Sequence, residues 1–244
     1  MQKIIQKFSR TYLAESYKKI PSSPNLYGIN SLFSYYKNLN LDLNIFKFDY
    51  VSEEVVIDLL NNVEPSKAAG IDNINGRFIK DGANVLAHPV TQLCNLSIKL
   101  SSFPLECKIA KLKPIYKKGS KTDPKNFRPI SLLPLISKII EKVIHDQTEK
   151  YLSSKNILFQ YQSGFRKHHS TDFCLSYLRE TISKGLDIGQ HTGMILIDLQ
   201  KAFDTIDHNL LLEKMPYFGF STNVIEWFKS YLTNRTFIDR KSVV

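Results

Sequence analysis

Residues 108–128 constrain this chain more than any other stretch. They hold Lys108, Lys111, Lys113, Lys117, Lys118, Lys121, Lys125 and Arg128 against Asp123, a balance of +7 in 21 residues, out of a formal net charge of +10 for all 244. Such crowding repels itself unless the charges are spread on an extended scaffold or meet a polyanion. The pattern supplies the scaffold. Residues 109–116 (IAKLKPIY) alternate apolar and basic with the period of a strand. The Lys117-Lys118-Gly119-Ser120 segment reads as the loop after it, and residues 127–133 (FRPISLL) as the returning strand. The expectation is a β-hairpin with a charged tip. Charge by itself leaves two readings open, a solvated basic loop and a surface for nucleotide or nucleic acid.

The surrounding chain reads as mixed helix and sheet. Residues 1–20 predict an amphipathic helix with Ile4, Ile5, Phe8, Tyr12 and Leu13 on one face, followed over 21–50 by a Pro/Ser/Asn-rich connection. Ser52 is a good N-cap for EEVVIDLLNN, and a further helix is expected over 83–101, ended by Phe103-Pro104. Leu135, Ile136, Ile139, Ile140, Val143, Ile144 and Tyr151 recur at helical spacing with charges between them. Phe173, Tyr177, Leu178 and Ile182 align on a helix over 170–186, and Asp207 and Ser221 cap helices over 208–215 and 222–233. The order predicts an α+β class rather than regular βαβ alternation.

Composition excludes several classes. Hydrophobic residues are 43% and charged residues 23%, which is ordinary globular usage and not that of a disordered or fibrous chain. No stretch approaches the ~18 consecutive apolar residues of a membrane span, so no membrane partner is expected. The charged N-terminus lacks the apolar core of a signal peptide. Cys94, Cys107 and Cys174 are widely spaced with no Cys-x-x-Cys, which argues against a disulfide framework or a cysteine-built zinc site and fits an intracellular protein.

Asp198 is the candidate for chemistry. Residues 192–199 (TGMILIDL) read as a buried strand that ends in an acid. A carboxylate buried there costs several kcal/mol unless something positive compensates it, and Mg²⁺ suits one or two carboxylates plus phosphate oxygens. The alternative is an acid at a strand end, half exposed or bonded to backbone N–H groups.

The segment LIDLQKAFDTIDH at 196–208 resembles motif A of the reverse transcriptases of non-LTR (LINE-type) retrotransposons. The segments KAAGIDNINGRFIK at 67–80, FPLECKIAKLKPIYKKGSKTDPKNFRPISLLPLISKIIEKVI at 103–144, FQYQSGFRKHHSTDFCL at 159–175 and LLLEKMPYFGFSTNVIEWFKSYLTNR at 210–235 resemble successive parts of the same family in the same order. The resemblance runs from about residue 45 to the C-terminus. It implies a right-hand polymerase fold: residues 45–190 as fingers, residues 191–244 as the beginning of the palm, and residues 1–44 as an N-terminal helix and linker.

The resemblance also implies roles. Asp198 corresponds to the motif A aspartate that holds Mg²⁺ (or Mn²⁺) for attack of a primer 3′-hydroxyl on a dNTP, with two ions in the complete enzyme and the Leu199 carbonyl helping to hold one. Phe203 falls at the steric-gate position that favours deoxynucleotides, and a core Phe is the competing reading. Arg128 falls at the arginine that grips the triphosphate, a task suited to a planar guanidinium, with Lys117 or Lys118 as its lysine partner. Lys113 and Lys121 are candidates for template backbone, and Gln162, Gly164 and Arg166 (in QSGFR) for template-side packing and phosphate contact. RNA template, DNA primer and dNTP are the implied partners. Asp204 and Asp207 are read as turn and cap residues rather than metal ligands, and His168 and His169 as basic surface.

One departure from the family pattern stands out. Similar enzymes carry a Gly-Pro-Gln-Gly-type turn and a Tyr/Phe-x-Asp-Asp hairpin, and this sequence contains no Asp-Asp. The expectation is therefore fingers plus an incomplete palm without thumb or endonuclease, inactive by itself. A non-catalytic nucleic-acid-binding remnant and a poorly folding relic are the alternatives. Nucleus and cytoplasm are both expected locations, and oligomeric state is not legible.

Overall fold

The computed structural model describes residues 45–158, 161–198 and 206–238. The described residues fall into two compact units, one drawn from residues 45–147 and 219–238 and one from residues 148–218.

In the first unit, α1 (Glu53–Asn61) follows Ser52, whose backbone is extended as at an N-cap but whose side chain makes no cap bond, and buries Val56 and Leu60 one turn apart. α2 (Gly76–Asp81) is capped by Asn75, whose side chain accepts from the Phe78 amide at 2.9 Å. α3 (Ala83–Lys99) turns Ala83, Ala87, Val90, Cys94 and Ser97 inward at spacings of three and four. Gly70 lies so close to Leu133 and Pro134 that a Cβ there would meet the Pro134 nitrogen at 2.5 Å. The hairpin follows as β1 (Ile109–Tyr116) and β2 (Phe127–Leu132). It leads into α4 (Leu135–Ser154), whose residues to 147 belong to this unit and whose remainder belongs to the second.

The chain returns to the first unit as α7 (Thr222–Leu232) and β3 (Thr236–Ile238); Ser221 precedes α7 in extended backbone, but its hydroxyl makes none of the expected cap bonds. Its core is aromatic. Trp227 is fully buried, edge-on to Phe48, Phe103 and Phe228 with centroids 5.6–5.8 Å apart, and stacked on Tyr231. Such pairs add about 0.5–1.5 kcal/mol each to the burial of apolar area. The indole nitrogen donates to Ser97 Oγ at 2.9 Å, so the one buried donor of the ring is satisfied. Residues 46 and 220 form a parallel bridge that ties the start of the described chain to the start of α7.

The sheet has three strands in the order β2-β1-β3, with β2 antiparallel and β3 parallel to β1. β3 is absent from the sequence reading. Three residues are too few to show a period.

In the second unit are the end of α4, α5 (Thr171–Asp187), α6 (His208–Lys214) and a 3-10 turn over Met215–Phe218. Tyr151, Leu152, Leu158, Leu211, Met215 and Phe218 are buried, and the Tyr151 hydroxyl donates to the Phe218 carbonyl at 2.8 Å. Two expectations change here. α5 forms where periodicity placed it, but it buries no residue, and Phe173 and Tyr177 are exposed. The expected buried strand over 192–199 is not formed: residues 191–198 carry no strand, and Ile195 and Leu196 are 88% and 81% exposed. An apolar run becomes a strand only when a neighbour completes its hydrogen bonds. Among the described residues none pairs with it.

Candidate nucleic-acid interface

The hairpin register places the charges. Lys111 stands opposite Leu132, Lys113 opposite Ile130, Ile115 opposite Arg128, and Tyr116 opposite Phe127. Cross-strand partners share a face and neighbours along a strand alternate. Lys111, Lys113 and Arg128 therefore lie on one face, with Ile115 and Ile130 among them. Leu112, Pro114, Tyr116, Phe127 and Pro129 lie on the other, where the Tyr116 and Phe127 rings meet edge to face at 5.6 Å. The Lys117 amide donates to the Asn126 carbonyl at 2.8 Å. That bond carries the alternation one step past the strand, so Lys117 continues the basic face and Lys118 does not.

Pro114 and Pro129 oppose each other. Neither can donate to a ladder, and by the same alternation their nitrogens point away from the shared ladder, that of Pro129 toward the free edge of β2 and that of Pro114 toward the β3 side, past Lys111, the last residue of β1 that pairs there. Proline in that place discourages edge-to-edge pairing while leaving the ribbon intact.

The loop is ordered by its own bonds. Gly119 adopts φ 92°, and a Cβ there would meet the Asn126 amide at 2.7 Å. The Asn126 side chain donates to the Ser120 carbonyl at 2.9 Å, and Asp123 accepts from the Lys125 amide at 2.9 Å. The Tyr116 hydroxyl donates to the Gly119 carbonyl. Asp123 is thus held as a turn residue. Lys113, Lys117, Lys118, Lys121 and Arg128 are all exposed. Lys121 lies 5.7 Å from the centre of the Tyr116 ring. Lys108 departs from the pattern: it is buried, and its ammonium lies 3.4 Å from Ser230 Oγ.

The QSGFR segment is a compact turn. Gln162 is buried, and its amide donates to the Gly164 carbonyl at 3.2 Å. Phe165 and His168 adopt positive φ of 65° and 61°, each at a cost on the order of 1 kcal/mol for a residue with a side chain. Gly164 and Arg166 are half-buried.

Asp198 is exposed. Leu199, Phe203 and Asp204 lie outside the described residues. Asp207 caps α6, accepting from the Asn209 and Leu210 amides at 2.9 and 3.1 Å, which is the structural role its sequence position suggests. Among the described residues no group of three or more His, Cys, Asp or Glu is placed to hold a metal ion. The buried thiols offer no alternative chemistry. Burial pushes Cys94 up to about 12; burial, with the Glu106, Glu141 and Asp72 carboxylates, pushes Cys107 up to about 11. Cys174 is exposed.

Family comparison bears out the resemblance to reverse transcriptases. Residues 115–243 match the family described as reverse transcriptase (RNA-dependent DNA polymerase), and the chain belongs to it. Its relatives include RNA-directed DNA polymerases of mobile elements. A probable RNA-directed DNA polymerase from transposon X-element of Drosophila melanogaster is 31% identical over 83% of this chain and 22% of its own length. One from transposon BS of the same organism is 29% identical over 77% of this chain and 21% of its own length. The RNA-directed DNA polymerase from mobile element jockey of Drosophila funebris is 28% identical over 78% and 21%. The chain spans about a fifth of the length of the curated relatives it matches.

Proposed function

We propose that this chain supplies the fingers and the first part of the palm of a retrotransposon RNA-directed DNA polymerase, the part that grips template and incoming dNTP. The observation that carries the reading is the hairpin register, which collects the exposed Lys113, Lys117 and Arg128 and the half-buried Lys111 on one face. Arg128 grips the triphosphate with Lys117 as its partner, and Lys113 and Lys121 contact template backbone. Gln162 holds the turn that presents Gly164 and Arg166 to the template side. Phe203 excludes ribonucleotides. Asp198, with the Leu199 carbonyl, is this chain's contribution to a Mg²⁺ or Mn²⁺ site. A divalent ion there neutralises phosphate charge in the complete enzyme. The remaining ligands have to come from outside the described residues.

A second reading is a nucleic-acid-binding remnant without catalysis, in which the exposed cations of the ribbon bind the backbone and Asp198 has no part. Two measurements separate and test the readings. Lys113→Ala, Lys117→Ala and Arg128→Ala together should flatten the slope of log K against log salt for single-stranded RNA by up to about 0.7 per lost contact. An unchanged slope removes the ribbon from the interface. Primer extension on an RNA template, with the chain in its full-length polymerase, should be abolished by Asp198→Ala. Retained extension refutes the site, and no extension in the unaltered full-length protein selects the remnant.

A further inference from the structure

Lys108 and Arg235 stand side by side at the end of the sheet away from the basic loop. Each immediately precedes one member of the paired couple Ile109 and Thr236 in adjacent parallel strands, which lie about 4.8 Å apart. Both side chains converge on the last turn of α7. The Lys108 ammonium reaches Ser230 Oγ at 3.4 Å, and Arg235 Nε donates to the Tyr231 carbonyl at 2.7 Å. The guanidinium lies 4.0 Å from the Tyr231 ring centre and 5.5 Å from that of Phe103.

Among the described residues two cations here lack a counter-ion. Lys108 is 4% exposed. Arg235 Nη2 is buried and has no hydrogen-bond partner. Among the described residues neither side chain forms an ion pair with a carboxylate. The nearby Glu141 accepts from the Tyr231 hydroxyl at 3.1 Å instead. The helix end offers a partial negative charge of about one half, short of what two cations need. Burial and the neighbouring guanidinium both hold the Lys108 ammonium below its ordinary range. Ser230 Oγ also accepts from the Phe103 amide at 3.0 Å and lies 3.3 Å from Ser102 Oγ; Ser102 is exposed, and Ser230 and Arg235 are half-buried.

We propose that Lys108, Arg235 and the Ser230 hydroxyl form an oxyanion site that takes a phosphate group, carried by a nucleic-acid backbone or free in solution. It is separate from the loop at the other end of β1 and does not depend on the polymerase reading. Trp227, the single tryptophan of the chain, is stacked on Tyr231 at 5.6 Å and reports on the site by fluorescence. Inorganic phosphate is titrated into the whole chain at pH 7 against chloride at matched ionic strength. Phosphate should shift the Trp227 emission saturably and raise Tm, and chloride should do neither. Lys108→Met should weaken phosphate binding about tenfold or more, the loss expected for one charge-assisted hydrogen bond, and should melt no lower than the unaltered chain without phosphate. Equal responses to the two salts in the unaltered chain overturn the proposal whatever the variant does. An equal phosphate response in a folded variant overturns it too. A short single-stranded RNA that displaces phosphate identifies the backbone as the source. An RNA that leaves the phosphate response intact assigns the site to free phosphate.

Discussion

Lys214 shows how little a residue's type says about its state. It closes α6 in sequence as an ordinary helix-end cation, yet burial pushes its ammonium down to about 8. The unfolded chain holds that proton up to about 10.4, so between roughly pH 8 and 10.4 the unfolded state binds more protons and stability rises with pH. The contribution is complete above that window and lost as the pH falls through about 8. Lys214→Met should therefore raise Tm at pH 7, and the gap to the unaltered chain should close by pH 10.5. A gap that stays constant across the range means the group is solvated. Asp207 is the opposite case, because its role was legible. An aspartate just before HNLLLEK is an N-cap by position, and two amide bonds make it one. Asp198 was legible as an acid closing an apolar run, but the run's exposure was not, because exposure depends on neighbours that no local pattern encodes.

At the scale of elements, period and punctuation located most boundaries. The hairpin strands, α3, α4 and α5 fall where alternation and 3.6-residue spacing put them. Asp207→Ala should cost about 1 kcal/mol of stability by urea titration, the usual value of an N-cap, and leave RNA affinity unchanged. A loss of RNA binding in a folded variant would make Asp207 part of the interface rather than of the helix. The strand over 192–199 failed because an apolar branched run encodes the capacity to pair and not the partner. β3 went unread for the converse reason: its pairing with Ile109–Lys111 supplies what its three residues cannot.

At the scale of the molecule, the two units differ in what they bury. The first closes on Trp227 and its ring of aromatics. The second leaves Met194, Ile195, Leu196 and Ile197 between 55% and 88% exposed. A contiguous apolar stretch on the surface favours self-association. Ile195→Lys should increase the soluble monomer fraction in sedimentation and leave Tm within about 1 °C, since an exposed substitution costs little. A clear fall in Tm would show that the segment packs in solution.

The amino-acid order by itself determined the basic ribbon, the helix periods, the Asp207 cap and the family, because each is written in neighbours within a few residues or in motifs kept in order along the chain. Tertiary structure decided which face of the ribbon carries Lys113, Lys117 and Arg128, that Lys108 is withdrawn from that set beside Arg235, and that the acid-ended apolar run stands exposed. Those outcomes depend on register, burial and pairing across long sequence separations, where the free energy belongs to the contact and not to either segment.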